Sequence, residues 1–313
     1  MTNNIQFSSV CGIDIAKSVM QVYKVTSDGV VSNKAVKRAD FLNEFRNIPP
    51  ALIGMEACGG SQHWARELQS LGHTVRLMPP KLVKPYVTGL KNDKNDARGI
   101  YKALEMSVRE VPVKSAAIRD LALLQTMRTK RQREKVAKIN HIRGILTEYG
   151  LVMGKSINAF LAKAGSLIVQ LKERADVSPY IVSELTALFR EVKEAMEKIK
   201  ELETNIESIA KTLKHYDLFQ SALGVGPITA ATMLVLLCNP AVFKNGREFA
   251  AYIGLAPKSS GSGGKNFVTH IPKKCECNND VRALLVQCAH SICRCKHKSD
   301  WVSSILARKP KKV

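Results

Sequence analysis

The sequence predicts an α/β N-terminal part, then a long helical segment with a coiled-coil-like seam, then a mainly helical C-terminal part. Three observations lead there. The near-continuous apolar runs SVCGIDIAK (9–17) and ALIGMEA (51–57) read as strands buried on both faces, separated by helical patterns. Residues 118–147 hold one uninterrupted helical pattern. Residues 185–213 repeat apolar residues at alternating spacings of three and four. The expected divisions are 1–115, 116–217 and 218–313.

The elements follow in order. After the first apolar run, VMQVYKV, the turn signal Ser27-Asp28-Gly29 and VVSNKAV predict a hairpin. Residues 40–47 read as helix and ALIGMEA as the next strand. SQHWARELQSLG (61–72) is an amphipathic helix closed by Gly72. HTVRLM (73–78) is a further strand, ended by Pro79-Pro80, and helical patterns run from 81 to about 106. The order is α/β, an antiparallel hairpin joined to parallel strands.

The 118–147 helix carries Arg128, Lys130, Arg131, Arg133, Lys135, Lys138 and Arg143, with Glu134 the interruption. A charge run of this kind is either a solvated face or a nucleic-acid contact; its single sign favours contact. The 185–213 seam, from Leu185 through Val192, Ile199 and Ile206 to Leu213, fits a contact between protomers or a hairpin with the preceding helix. Gly224-Val225-Gly226-Pro227 ahead of ITAATMLVLL (228–237) fits either a helix-hairpin-helix phosphate site or an ordinary turn before a buried helix. The Ser/Gly run at 259–264, between Lys258 and Lys265, reads as a flexible basic loop.

The chain has 313 residues, with 48 Lys+Arg against 27 Asp+Glu and a formal charge of +21. That field favours a polyanion, nucleic acid or an anionic membrane. No apolar run reaches transmembrane length, and the N-terminus lacks the features of a signal peptide, so nucleic acid in the cytoplasm, with nucleoid association when DNA is bound, is the expectation. The eight cysteines do not form a disulfide framework. Cys275, Cys277, Cys288, Cys293, Cys295 and His297 have no standard zinc-finger spacing, so zinc is not expected.

Against this basic background four acids stand out. Asp14 interrupts an apolar strand, where an unpaired carboxylate is costly. Glu56 closes the second buried strand. Asp93 and Asp96, in NDKNDARG (92–99), share one helix face among Lys94 and Arg98. On an RNase H-like strand order the four would converge, and carboxylates so gathered need divalent ions. Mg²⁺, or Mn²⁺, held by oxygen ligands suits phosphodiester chemistry.

GIDIAK around Asp14, MEACG around Glu56 and DKNDAR resemble the RuvC-like half of the DEDD transposases, the insertion-sequence family called IS-one-ten, whose members are bridge-RNA-guided recombinases. FAAYIGLAP (249–257), the following SGG and the Val281-Arg282 pair resemble that family's C-terminal transposase domain. KKCECNNDVR departs from the family's Lys-x-Gly pattern. The resemblance implies a RuvC-like, RNase H-like N-terminal domain whose acidic tetrad and Mg²⁺ assist a serine nucleophile that forms a 5′-phosphoserine link to DNA. The matching residue is Ser262, with Ser259 and Ser260 as rivals. It further implies target and donor DNA, a structured non-coding guide RNA, and homo-oligomers, dimer and tetramer. Gly224, Gly226, Lys258, Gly263, Gly264, Lys265 and Arg282 are the expected nucleic-acid contacts of that domain. Two other readings stay open: a RuvC-like endonuclease that hydrolyses DNA with the same acids, and a non-catalytic nucleic-acid-binding protein.

Overall fold

Strand β1 (Ser9–Ile15) pairs antiparallel with β2 (Val19–Thr26), which pairs antiparallel with β3 (Val31–Lys37). The computed structural model that defines these elements describes residues 7–257, 259–262, 265–268, 279–296 and 298–308. The chain divides into two compact units, Met1–Ser115 with Cys238–Asn245, and Ala116–Leu237 with Gly246–Val313.

In the first unit a short helix α1 (Asn43–Arg46) leads to β4 (Leu52–Glu56), which lies parallel to β1. Helix α2 (Ser61–Ser70) crosses to β5 (Thr74–Met78), parallel to β4. The sheet order is β3-β2-β1-β4-β5. Strand alternation gives the sheet two buried faces. On one, Cys11, Ile13, Val22, Ile53 and Met55 pack with Phe41, Phe45, Trp64 and Leu68 from the α1–α2 side. His73 ties this layer together: its Nδ1 accepts from the Ala51 N–H at 3.1 Å and its Nε2 donates to the Phe45 carbonyl at 2.9 Å.

The other face carries Val10, Gly12 and Asp14 of β1 and Leu52, Gly54 and Glu56 of β4. The helical patterns expected from 81 to about 106 are interrupted here. Helix α3 (Pro80–Val83) runs into a 3₁₀ turn (Lys84–Tyr86), and helix resumes only at α4 (Asp93–Glu105). Pro85 disfavours helix at the residue before it, and Gly89 adopts φ +91. Asn92 caps the new helix, its side chain accepting from the Asn95 N–H at 2.8 Å. Ile100, Ala103 and Leu104 of α4 pack with Met78 and Val83. Gly12 sets how close α4 comes: a Cβ there would lie 2.3 Å from the Ala97 carbonyl oxygen and 2.4 Å from the Tyr101 nitrogen. The backbone of α4 therefore rests almost on β1.

The second unit begins with α5 (Ala116–Glu148), followed by α6 (Ile157–Lys172) and α7 (Pro179–Lys211). Ion pairs Arg128–Glu203 and Lys138–Glu191 show α5 and α7 running antiparallel. The 185–213 seam is used inside this unit. Leu185 and Val192 are buried with Ile142, Leu146 and Phe160, and Ile206 and Ala210 with Leu121 and Ala230. Leu188, Ala195, Ile199, Leu202, Ile209 and Leu213, the other seam positions, are likewise buried or half-buried, so the hairpin reading, rather than a contact between protomers, accounts for the seam. Helix α8 (Tyr216–Gln220) turns through Gly224 into α9 (Pro227–Leu236), and α10 (Gly246–Tyr252) follows. Residues expected as a flexible loop instead begin a hairpin: β6 (Ser259–Ser262) pairs antiparallel with β7 (Lys265–Val268). Gly-Gly between two short runs is a two-residue hairpin signal, which the composition of the run obscures. Helices α11 (Asn279–Arg294) and α12 (Asp300–Arg308) complete the described chain. Among the described residues no helix is long and apolar enough to cross a membrane.

Candidate metal centre

Three of the four predicted acids meet in the first unit. One carboxylate oxygen from each of Asp14, Asp93 and Asp96 lies within 4.8 Å of the others. Asp14 comes from the end of β1. Asp93 and Asp96 come from the first turn of α4, three residues apart and so on one side of the helix. Gly12, two residues before Asp14 on the same face, is what lets α4 descend far enough for its acids to reach.

Glu56 is not one of that group of three, but it belongs to the same electrostatic site. Parallel pairing of Ile13 with Met55 puts Asp14 and Glu56 side by side at the sheet end. Burial, then the charges of Asp14 and Asp96, raises the Glu56 pKa. Burial, followed by Asp96 and Asp93, raises that of Asp14. Each carboxyl is thus held toward its neutral form by desolvation and by like charge. Hard oxygen donors so gathered suit a hard divalent cation such as Mg²⁺ or Mn²⁺. The residues present fit a divalent ion.

Two uncharged side chains of this face were not singled out in the sequence. Gln21 lies opposite Asp14 across the β1–β2 pair and is 5% exposed. Its Nε2 donates to Asn33 Oδ1 at 2.6 Å, and Asn33 Nδ2 donates to the Lys94 carbonyl at 3.1 Å. The signal available was a glutamine and an asparagine on the Asp14 face of a hairpin whose register the Asp28-Gly29 turn sets.

The remaining candidates are dispersed. Lys94 and Arg98 are exposed on α4. The α5 basic run is largely engaged within its own unit. Arg128 Nε donates to Glu203 at 2.7 Å, one Arg133 nitrogen contacts both Asp280 oxygens at 2.8 Å, and an Arg143 nitrogen donates to the carbonyls of Gly154, Lys155 and Ser156. Lys135 is buried, and that burial lowers its pKa. Lys130 is exposed, with Glu134 at 3.9 Å, and Arg131 is exposed. Gly224 has a packing duty. Its φ is +80, and a Cβ would lie 2.6 Å from Ile292 Cγ1 and 2.8 Å from the Cys288 carbonyl oxygen. Gly226 is the exposed N-cap of α9, and Arg282 is half-buried on α11. Ser262 pairs with Lys265 in the β6–β7 hairpin. Lys258, Gly263, Gly264, Cys275, Cys277 and His297 lie outside the described residues.

Similarity to known proteins agrees with the order of these parts. The family model of the DEDD-type IS110 transposases, described as "Transposase", matches residues 11–151, which hold all four acids. The model described as "Transposase IS116/IS110/IS902 family" matches residues 216–302. The chain is 34% identical over 313 residues to a "Probable family 20 transposase" of Pseudomonas aeruginosa, covering 96% of this chain and 90% of that one. It is 34% identical to the "Putative transposase y4pF/y4sB" of Sinorhizobium fredii, with 96% and 79% covered. To the "Transposase for insertion sequence element IS1111A" of Coxiella burnetii it is 32% identical, with 96% and 83% covered. Sheet, acids and matches together define an insertion-sequence transposase. The chain belongs to the DEDD transposases of the IS110 family.

Proposed function

We propose that this transposase is an RNA-guided recombinase that cleaves and exchanges DNA strands through a 5′-phosphoserine intermediate at Ser262, assisted by Mg²⁺ at Asp14, Glu56, Asp93 and Asp96. The observation that carries the reading is the meeting of Asp14, Asp93 and Asp96 within 4.8 Å, from elements about eighty residues apart. The strand order β3-β2-β1-β4-β5, with acids at the ends of β1 and β4, supports an RNase H-like, RuvC-like assignment for residues 1–115. Residues 116–217 are then the helical spacer and 218–313 the serine-bearing part.

A divalent ion at the acids would neutralise charge on the phosphate and lower the cost of the attacking and leaving oxygens. The chain's own residues do the rest. The four carboxylates hold that ion, and Lys94 and Arg98 present positive charge beside it. Ser262 Oγ attacks phosphorus as its O–H proton passes to solvent or a carboxylate. The new O–P bond forms as the bond from phosphorus to the 3′-oxygen breaks, and that oxygen leaves to be protonated. In the rejoining step a 3′-hydroxyl attacks the phosphoserine and Ser262 is released. No water enters, so the bond energy is conserved. Target and donor DNA, a structured guide RNA and a homo-oligomer, dimer or tetramer, complete the reading. The net charge of +21 favours nucleic-acid partners.

Denaturing electrophoresis of the protein with labelled target, donor and guide tests this. A protein–DNA adduct is expected in the wild type and not in Ser262→Ala. An adduct that persists in Ser262→Ala but vanishes in Ser260→Ala would transfer the role to Ser260. Cleavage by the wild type with no adduct would mean hydrolysis.

A further inference from the structure

Three carboxylates within 4.8 Å repel one another, and two of them sit on the first turn of α4, ahead of the Ile100, Ala103 and Leu104 packing that anchors the rest of the helix. Something must hold that turn down before a cation arrives. Gly12 permits the close approach but supplies no attraction. The cap made by Asn92 and the Asn95 side chain, whose Nδ2 donates to the Leu90 carbonyl at 2.7 Å, organises the helix start without joining it to the sheet. Among the described residues, the side-chain hydrogen bond that crosses from sheet to first turn is the one from Asn33 Nδ2 to the Lys94 carbonyl. Lys94 lies between the two acids in sequence. Asn33 is in turn oriented by Gln21: with the amide oxygen engaged by Gln21 Nε2, the Asn33 nitrogen is the atom left to face α4.

Gln21 itself is expensive. It is 5% exposed on a central strand, and a buried amide is tolerated only when hydrogen-bonded. An apolar side chain at this position would suffice for the fold alone. The partner that Gln21 keeps is Asn33, and the partner that Asn33 keeps is the acid-bearing turn.

We propose that Gln21 and Asn33 are positioning residues for the cation site: a two-member amide relay on the β2–β3 hairpin that clamps Lys94, and with it Asp93 and Asp96, against Asp14. The proposal rests on the acids being a divalent-metal centre and adds what preorganises it. Neither amide needs to touch the ion; the relay acts by opposing carboxylate repulsion in the metal-free protein, as outer-shell partners of metal ligands do.

The test is Mn²⁺ binding by the full chain, read by calorimetry and by the spin-resonance signal of free Mn²⁺, alongside thermal unfolding in EDTA. Asn33→Ala and Gln21→Met should each weaken Mn²⁺ binding by about tenfold or more. The double variant should be little worse than either single one, because both remove the same clamp. Losses that multiply in the double variant would overturn the relay. So would a binding constant within about twofold of wild type in both singles, even if their unfolding temperatures fall, since that result marks a purely structural role. A wild-type chain that binds no Mn²⁺ would overturn the metal centre itself and the relay with it; the two failures are separated by the wild-type titration.

Discussion

Asp14 interrupts the apolar run of β1, and it stays there at a cost to the metal-free fold. Burial and the neighbouring aspartates raise its pKa above the ordinary aspartate value of 3.8. The folded chain therefore binds more protons than the unfolded chain between that value and the raised one. Stability of the metal-free protein falls as pH climbs through this window. Asp14→Asn removes the charge and keeps the shape. We expect it to abolish DNA strand cleavage yet raise the unfolding temperature in EDTA, with the gain over wild type growing as pH climbs through that window and level above it; thermal unfolding across a pH series checks this. Asp14 stood out in the sequence because an acid inside an apolar run needs a partner or an ion, and three further acids were at hand. Gln21 was not, because a polar residue at alternate positions of a hairpin strand reads as its solvent face. Only the descent of α4 over that face buries it, and that descent depends on Gly12, whose small size has no periodicity to announce it.

Among the elements, the long α5–α7 hairpin has the plainest signature and the most ambiguous meaning. Unbroken three-four spacing from Leu185 to Leu213 reveals an apolar stripe but not its partner, since a stripe facing α5 and one facing a second protomer have the same period. Burial decides: Leu185, Val192 and Ile206 are each fully buried within the chain. Leu185→Ala should cost about 2–5 kcal/mol in chemical denaturation, and light scattering should show the oligomeric state unchanged in the folded protein. A change of oligomeric state at little cost in stability would return the seam to an interface. Helix α6 escaped notice for a different reason. Its apolar residues Phe160, Ala164, Ile168 and Leu171 are spaced for one face, but they lie among further apolar residues that blur the contrast. In the 81–106 region the expected helical patterns hold at both ends, and the interruption falls at Pro85 and Gly89, residues with direct control over the backbone.

Taken as a whole, the molecule is strongly basic, but its formal charge overstates what faces a partner. Arg128, Arg133 and Lys138 are committed to Glu203, Asp280 and Glu191. Binding to duplex DNA should weaken steeply with salt, and the slope should report only the cations left over. Lys130→Gln with Arg131→Gln should reduce the slope of log affinity against log salt by about 1 to 2. Arg133→Gln should leave it near the wild-type value, with little change in stability because the pair with Asp280 is solvent-exposed. Fluorescence anisotropy over a salt series separates the two. The sequence carried the sign and size of the charge, whereas the intramolecular pairing of distant residues such as 133 and 280 emerges only with the fold.

The division into units has a consequence for heredity. The first unit is not one continuous stretch: residues 238–245 return to it from far along the chain, where Phe243 lies under the Arg109 guanidinium at 4.9 Å. A gene fragment ending at codon 115 would encode the sheet and all four acids but omit that returning strap. Exchange between related elements by one crossover near codon 115 would therefore join a sheet to a foreign strap, and only two further crossovers, bracketing codons 238–245, would restore the pairing. The acid-bearing half of this transposase is thus inherited less as a detachable cassette than as a text with one of its lines written in a later chapter.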